Sequence, residues 1–265
     1  MNTPLPAAAR AVSKTSVSSS LTIAKAPGSA PRRAMPLMRN YTVQVLRADG
    51  TIDDFTRIAP AQPIFEEAFS AVARGTLIAT PEGQVAIEDL RPGMKVITLE
   101  NGVETLPWIG SIARYPIPAH DNRPDLVPLT RVTAEALGYA RPAADLMVGP
   151  GARMLMRNLR GDGMAGDRKV FGQVRALEDG FGVFRVTPAS AVTLYHLAFK
   201  GQRTIIANGV ELESYHPGAA AKTFAQPNVL PLFKSLFPHV DGLADFGPQT
   251  HQRLSAMDAE NLMAV

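Results

Sequence analysis

Arg74-Gly75-Thr76-Leu77-Ile78-Ala79-Thr80-Pro81-Glu82-Gly83, followed by Ile87-Glu88-Asp89-Leu90-Arg91-Pro92-Gly93-Met94-Lys95-Val96, sets short apolar runs between turn residues. Thr76 to Thr80 reads as a strand and Pro81 to Gln84 as a turn. Val85 to Leu90 carries alternating apolar residues at 86, 87 and 90. Arg91-Pro92-Gly93 reads as a type II turn, because proline fixes φ and glycine accepts positive φ. Met94 to Leu99 is again a strand, and Asn101-Gly102 is a hairpin turn. Thr105 to Ile112 continues the sheet. It contains Trp108, expected as a core or sheet-face anchor.

Upstream, Tyr41 to Arg47 reads as a strand, Ala48-Asp49-Gly50 as a turn, and Thr51 to Ile58 as a returning strand ended by Pro60 and Pro63. Phe65 to Ala73 has apolar residues at 65, 68, 69 and 72, a helix-like spacing. Downstream, Arg153 to Met156, Phe184 to Val186 and Val192 to Phe199 read as strands. Thr204 to Ala207 follows, then an Asn208-Gly209 type I′ turn and the returning Val210 to Leu212. Many short strands with frequent turns imply an all-β domain. After Pro217, residues 230–237 and 252–263 have helical spacing, so residues 217–265 are expected to form a small helical appendage.

Apolar residues are 46% and charged residues 19% of the 265, enough for a sizeable core. No apolar run approaches the roughly 18 residues of a membrane span. The absence of cysteine excludes disulfides, thiolate metal sites and thiol catalysis. Residues 1–38 are rich in Ala, Ser and Pro and are expected to be a disordered basic tail. A targeting or anionic-surface segment is the other reading of that tail. No apolar stretch follows its first charges, so a Sec signal peptide is not expected, and the compartment stays open between cytoplasmic and secreted without one. The basic charge is concentrated there: Arg10, Lys14, Lys25, Arg32, Arg33 and Arg39 occur in residues 1–40 with no acid. The whole chain has 27 basic and 24 acidic residues, so the body is mildly acidic and a nucleic-acid partner is not expected.

The opening block through Trp108-Ile109-Gly110 resembles the start of a Hint domain, the Hedgehog/intein self-processing module, in its bacterial Hedgehog-like form. The resemblance covers residues 71–216. A C-terminal stretch that often follows in this subfamily, Leu232 to Pro238 and Phe246-Gly247-Pro248, matches as well. It implies the horseshoe-like, pseudo-two-fold Hint fold, with 41–70 as a short hairpin and lead-in. In that family a first-residue cysteine thiolate attacks the preceding carbonyl. A Ser/Thr-x-x-His motif then protonates the departing amide nitrogen.

Carried onto this chain, the nucleophile position is Ala71. The Ser/Thr-x-x-His motif falls on Gly149-Pro150-Gly151-Ala152, so Gly149 stands for the hydroxyl residue and Ala152 for the histidine. An intein's closing His-Asn would fall at Glu213-Ser214. No catalytic residue is therefore expected, and the resemblance implies a degenerate domain kept as a structural or interaction module with an unidentified protein or peptide partner. Two alternatives remain. One is residual self-cleavage with Ser70 as nucleophile; the other is a basic-tailed adaptor binding an acidic surface.

No cofactor or metal is expected, since no histidine pair has ligand spacing. His196 is expected as a hydrogen-bonded sheet residue and His216 in an exposed turn. His120, His239 and His251 are placed in loops or at helix edges. Glu88-Asp89 and Glu178-Asp179 read as solvated loop charge. Gly161 to Asp167 reads as a flexible hairpin tip rather than a calcium loop, because it lacks the twelfth-position glutamate.

Overall fold

The computed structural model describes residues 37–116, 128–157, 169–218 and 229–254. The expected disordered tail lies outside those residues up to position 36, as do His120 and Gly161 to Asp167.

The chain runs through β1 (Met38–Leu46), β2 (Ile52–Pro60), α1 (Pro63–Glu66) and a 3-10 turn (Glu67–Phe69) into β3 (Val72–Ala73). Next come β4 (Leu77–Thr80), β5 (Gly83–Ala86), β6 (Lys95–Thr98), β7 (Gly102–Thr105), β8 (Trp108–Arg114), β9 (Leu129–Val132) and β10 (Leu146–Val148). The remainder is β11 (Arg153–Arg157), β12 (Lys169–Gln173), β13 (Val183–Val186), β14 (Val192–Ala198), β15 (Thr204–Ala207), β16 (Val210–Glu213), α2 (Leu230–Leu236), a 3-10 turn (Leu243–Phe246) and β17 (Gln252–Arg253). The all-β expectation holds; among the described residues α-helix occurs only in the lead-in and the C-terminal appendage, and the body adds short 3-10 turns at Ile87–Asp89 and Val174–Leu177.

Among the described residues the strands form two sheets. The first has the order β13-β9-β10-β3-β14-β8-β1-β2, the second β17-β12-β11-β16-β15-β4-β5 with the β6–β7 hairpin joined through β15. Side chains alternate faces along a strand, and the first sheet uses both. Ile109 and Leu197 point into a core shared with Ile78, Val96 and Leu212. Trp108, Ile112, Leu194 and Ala198 point the other way, into an aromatic core with Tyr41, Phe69, Phe233, Phe237 and Phe246.

Three segments differ from expectation. Of the helix-like stretch Phe65 to Ala73 only Phe65 to Phe69 turns helically, in a helical run that starts at Pro63, whose fixed φ suits the first helical position. Val72 and Ala73 are drawn into the sheet between β10 and β14. Val85 to Leu90 leaves the strand after Ala86 through a 3-10 turn, which lets both Ile87 and Leu90 reach the core. In the appendage α2 forms as expected; Gln252 and Arg253 form a strand parallel to β12, and the rest of the expected 252–263 helix, residues 255–263, lies outside the described residues. The Asn208-Gly209 turn forms with φ of 48° and 81°, as its residues require.

Candidate functional site

The junction between the lead-in and the family-like region is enclosed. Ser70 and Ala71 are both buried. Ala71 N–H donates to the Tyr195 carbonyl of β14 at 3.0 Å, and Gly149 N–H donates to the Ala71 carbonyl at 2.9 Å. Gly151 N–H donates to the Ser70 carbonyl at 2.9 Å. Ala152 N–H turns back to the Gly149 carbonyl at 3.1 Å, closing a tight turn after β10. Four sequence-selected positions, Ser70, Ala71, Gly149 and Ala152, therefore belong to one place in the fold.

The turn carries glycine for a steric reason. A β-carbon on Gly149 would stand 2.4 Å from the Ser70 carbonyl oxygen, and one on Gly151 would stand 2.1 Å from the Glu67 carbonyl oxygen. Both distances are shorter than any non-bonded contact permits, so the two backbones approach as closely as they do only without side chains. Gly151 N–H is the one backbone donor aimed at the Ser70 carbonyl, and the sequence reading did not single it out. The Gly-Pro-Gly run was its only trace, since a backbone amide has no residue type of its own.

The side chains around this frame offer little acid–base chemistry. Ser70 Oγ is buried with no hydrogen-bond partner. Ala71 and Ala152 present methyl groups, both buried against the first core. His196, on β14, is buried as expected of a sheet residue. Its Nδ1 lies 3.2 Å from the Glu67 carbonyl oxygen and its Nε2 lies 3.4 Å from the Glu213 carbonyl oxygen. Burial pushes the imidazole down to about 4, and the two carbonyls only partly offset that. A neutral imidazole carries one N–H, so it donates to one of these carbonyls at a time. His196 thus bridges the lead-in and the closing strand β16, a connection that sequence separation concealed.

The closing end is built from charged side chains. Glu213 is buried; its carboxylate accepts from Arg253 Nε at 2.9 and 3.0 Å and from the Gln202 amide. Arg253 also donates to the His216 carbonyl at 2.6 Å, and Ser214 Oγ accepts from Arg203 N–H at 3.0 Å. His216 is not exposed. Its Nε2 is 2.9 Å from the Gly247 carbonyl oxygen and its Nδ1 accepts from Gly218 N–H, so the appendage folds over it. His239 lies among Trp108, Phe237 and Phe246 with neither ring nitrogen partnered, and burial lowers it to about 4. His251 Nε2 lies 3.5 Å from Glu100.

The paired acids serve turns. Glu88 accepts from Gly75 N–H and pairs with Arg74. Glu178 pairs with Arg185, and Asp179 accepts from Phe181 and Val183 N–H. Among the described residues no three His, Asp or Glu side chains gather as a metal-holding group, and no helix is long and apolar enough to cross a membrane.

No curated protein matches the chain. A solution structure of a bacterial intein-like domain from Clostridium thermocellum is similar at 17% identity, over 56% of this chain and 99% of that one, with a TM-score of 0.34. A family model described as Hint domain matches residues 70–219. That span is more than half of the chain. It begins at the enclosed Ser70–Ala71 junction and runs past the closing strand, and on this match the protein belongs to the Hint domain family.

Proposed function

We propose that this protein is a Hint domain of the bacterial Hedgehog-like kind that retains the backbone frame of the self-processing site without its nucleophile or proton donor, and that serves as a structural or protein-interaction module. The observation that carries this reading is a matter of register. The Gly151 N–H is aimed at the Ser70 carbonyl, the carbonyl that a side chain at position 71 would attack. An oriented donor on a carbonyl oxygen favours the charge that develops there during acyl transfer. Position 71 supplies only a methyl group, and position 152, where the family's histidine would stand, supplies another. A side chain with no lone pair cannot begin an acyl shift, whatever the frame around it.

The Ser70 alternative has one observation in its favour: a buried, unpartnered hydroxyl. Its chemistry is one residue out of register. Ser70 Oγ attacking its own carbonyl would close a strained ring of Oγ, Cβ, Cα and C. The feasible route attacks the Phe69 carbonyl carbon instead. That forms an ester, breaks the Phe69–Ser70 C–N bond and passes the hydroxyl proton to the Ser70 nitrogen. The Gly151 donor does not serve that carbonyl, and no base hydrogen-bonds to Oγ. The basic-tailed adaptor reading rests on residues 1–38, nearly all outside the described residues, and no observation of the fold favours it.

Intact mass tests the main reading. Freshly purified full-length protein, incubated for days with and without hydroxylamine, is expected to remain one species near 28.4 kDa. Fragments parting at Phe69–Ser70 or Ser70–Ala71 would sink it, and Ser70→Ala would then separate the two routes.

A further inference from the structure

In a self-processing protein the chain before the junction is cargo to be released. Residues 38–70 of this protein are built into the domain instead. β1 pairs with β8 over five residues, from Tyr41 opposite Ile112 to Val45 opposite Trp108. Without β1 and β2, β8 would be the open edge of the first sheet. Tyr41, Val43 and Val45 share the sheet face of Trp108, Ile112 and Leu194, and with Phe69 they fill the aromatic core to which the appendage adds Phe233, Phe237 and Phe246. The fit at Phe69 is tight: its ring stands 5.2 Å, edge-on, from Trp108, and a β-carbon on Gly110 of β8 would meet it at 2.6 Å.

Charge adds register. The buried Glu66 carboxylate pairs with Arg39 from β1 and with Arg114 of β8, the latter at 2.7 Å. Glu67 pairs with Arg153 of β11 at 3.1 Å, and its carbonyl meets His196. Apolar, backbone and ionic contacts thus all cross the junction.

We propose that the face formed by β8, β14 and the turn after β10 is a receiving surface whose occupant is residues 38–70 of this same chain. It holds them by strand addition and by the Phe65–Phe69 plug, independently of the peptide bond at 70–71. Breaking the chain at the junction would therefore leave a non-covalent pair and release nothing. This goes beyond the proposed function, because it concerns what holds the lead-in and applies to an active or an inert site alike. Main-chain pairing at a sheet edge supplies affinity in such an arrangement, and pockets for alternate side chains supply selectivity.

The test cuts the folded full-length protein next to the junction with an external protease. Arg74 and Gly75 lie in an exposed turn, so a protease-recognition sequence inserted between them opens the chain just after β3. After digestion, size-exclusion chromatography and native mass spectrometry at micromolar concentration are expected to show both fragments in one particle of the uncut size, separating only in denaturant. Fragments that run apart under native conditions would overturn the proposal. Because the first cut leaves β3 on the upstream fragment, the same sequence between Ala61 and the exposed Gln62 gives the stricter test: it leaves the plug and β3 downstream, and the β1–β2 fragment is expected to stay bound by strand pairing alone. A second arm, Val43→Asp with Val45→Asp in the cut protein, should release the upstream fragment. Retention in that variant would also count against strand addition. Both readouts use a protease-made break, so self-cleavage, the result that would undo the proposed function, leaves them unaffected.

Discussion

The junction end and the closing end of the domain lie on either side of His196, and they are held by opposite means. At residues 67–72 and 149–152, backbone amides meet backbone carbonyls, and two glycines let the strands touch. At residues 213–216 and 247–253, a buried carboxylate, a guanidinium and a carboxamide tie the appendage to β16. The first arrangement tolerates almost no added volume at its glycines, and its main-chain contacts are flanked by the Glu67–Arg153 pair. The second depends on charge balance among Glu213, Arg253 and the Gln202 amide. Added volume is therefore expected to cost more at the junction, and removal of a charge more at the closing end.

Four perturbations would break or sharpen that contrast. The largest effect is expected from Gly151→Val, whose β-carbon would collide with the Glu67 backbone. A loss of more than about 3 kcal/mol, read by denaturant unfolding, is expected because the obstacle is main chain rather than a flexible side chain. Wild-type stability in this variant would mean that the Gly151 and Glu67 backbones do not pack in direct contact.

Glu213→Ala comes next. It leaves Arg253 and the Gln202 amide facing a void at a buried position, and a cost of about 3 kcal/mol is expected from an uncompensated charge. Glu213→Gln should cost less, since it keeps the shape and one acceptor. Equal losses from the two variants would show that packing, not charge, holds the closing end.

The third concerns pH. His196 and His239 have folded-state values near 4, below the ordinary imidazole value of 6.5. Between those limits the unfolded chain binds more protons than the folded one. Stability is thus full above about 6.5 and declines as pH falls toward 4. His239→Leu should flatten part of that decline and lose no hydrogen bond, because neither ring nitrogen has a partner. A melting-temperature profile against pH for wild type and variant reads this directly. An unchanged slope in the variant would remove His239 from the account.

The smallest effect is expected from Ala71→Cys. A thiol at 71 addresses the carbonyl that Gly151 already polarises, so slow, hydroxylamine-dependent cleavage at 70–71 should appear by mass spectrometry. Without a histidine at position 152 the leaving nitrogen lacks its proton donor, and turnover should remain slow. Complete inertness over days would indicate that the frame itself has drifted from a reactive geometry.

Much of this architecture was legible in the residues. Asn208-Gly209 announced its turn because few other pairs accept positive φ twice in succession, and Gly93 announced a type II turn by accepting a single positive φ after Pro92. Ala71, Gly149 and Ala152 were singled out by resemblance alone, and the structure brings them together at one turn. What escaped was tertiary. Val72 and Ala73 follow a helical spacing, yet two strands distant in sequence claim their backbone. His216 looked exposed within Tyr215-His216-Pro217-Gly218, until the appendage returned to cover it. The Gly151 donor and the His196 bridge depend on main-chain atoms, which every residue carries and no sequence marks.

Trp108 is the single tryptophan of the chain. Its indole N–H donates to the Leu236 carbonyl at the end of α2, and its ring stacks on Phe237 at 4.5 Å. The protein thereby contains a native optical reporter placed where the lead-in, the sheet and the appendage converge. Loosening of α2 would expose the indole to water and shift its emission to the red, while a disturbance confined to the β6–β7 hairpin would leave the spectrum unchanged.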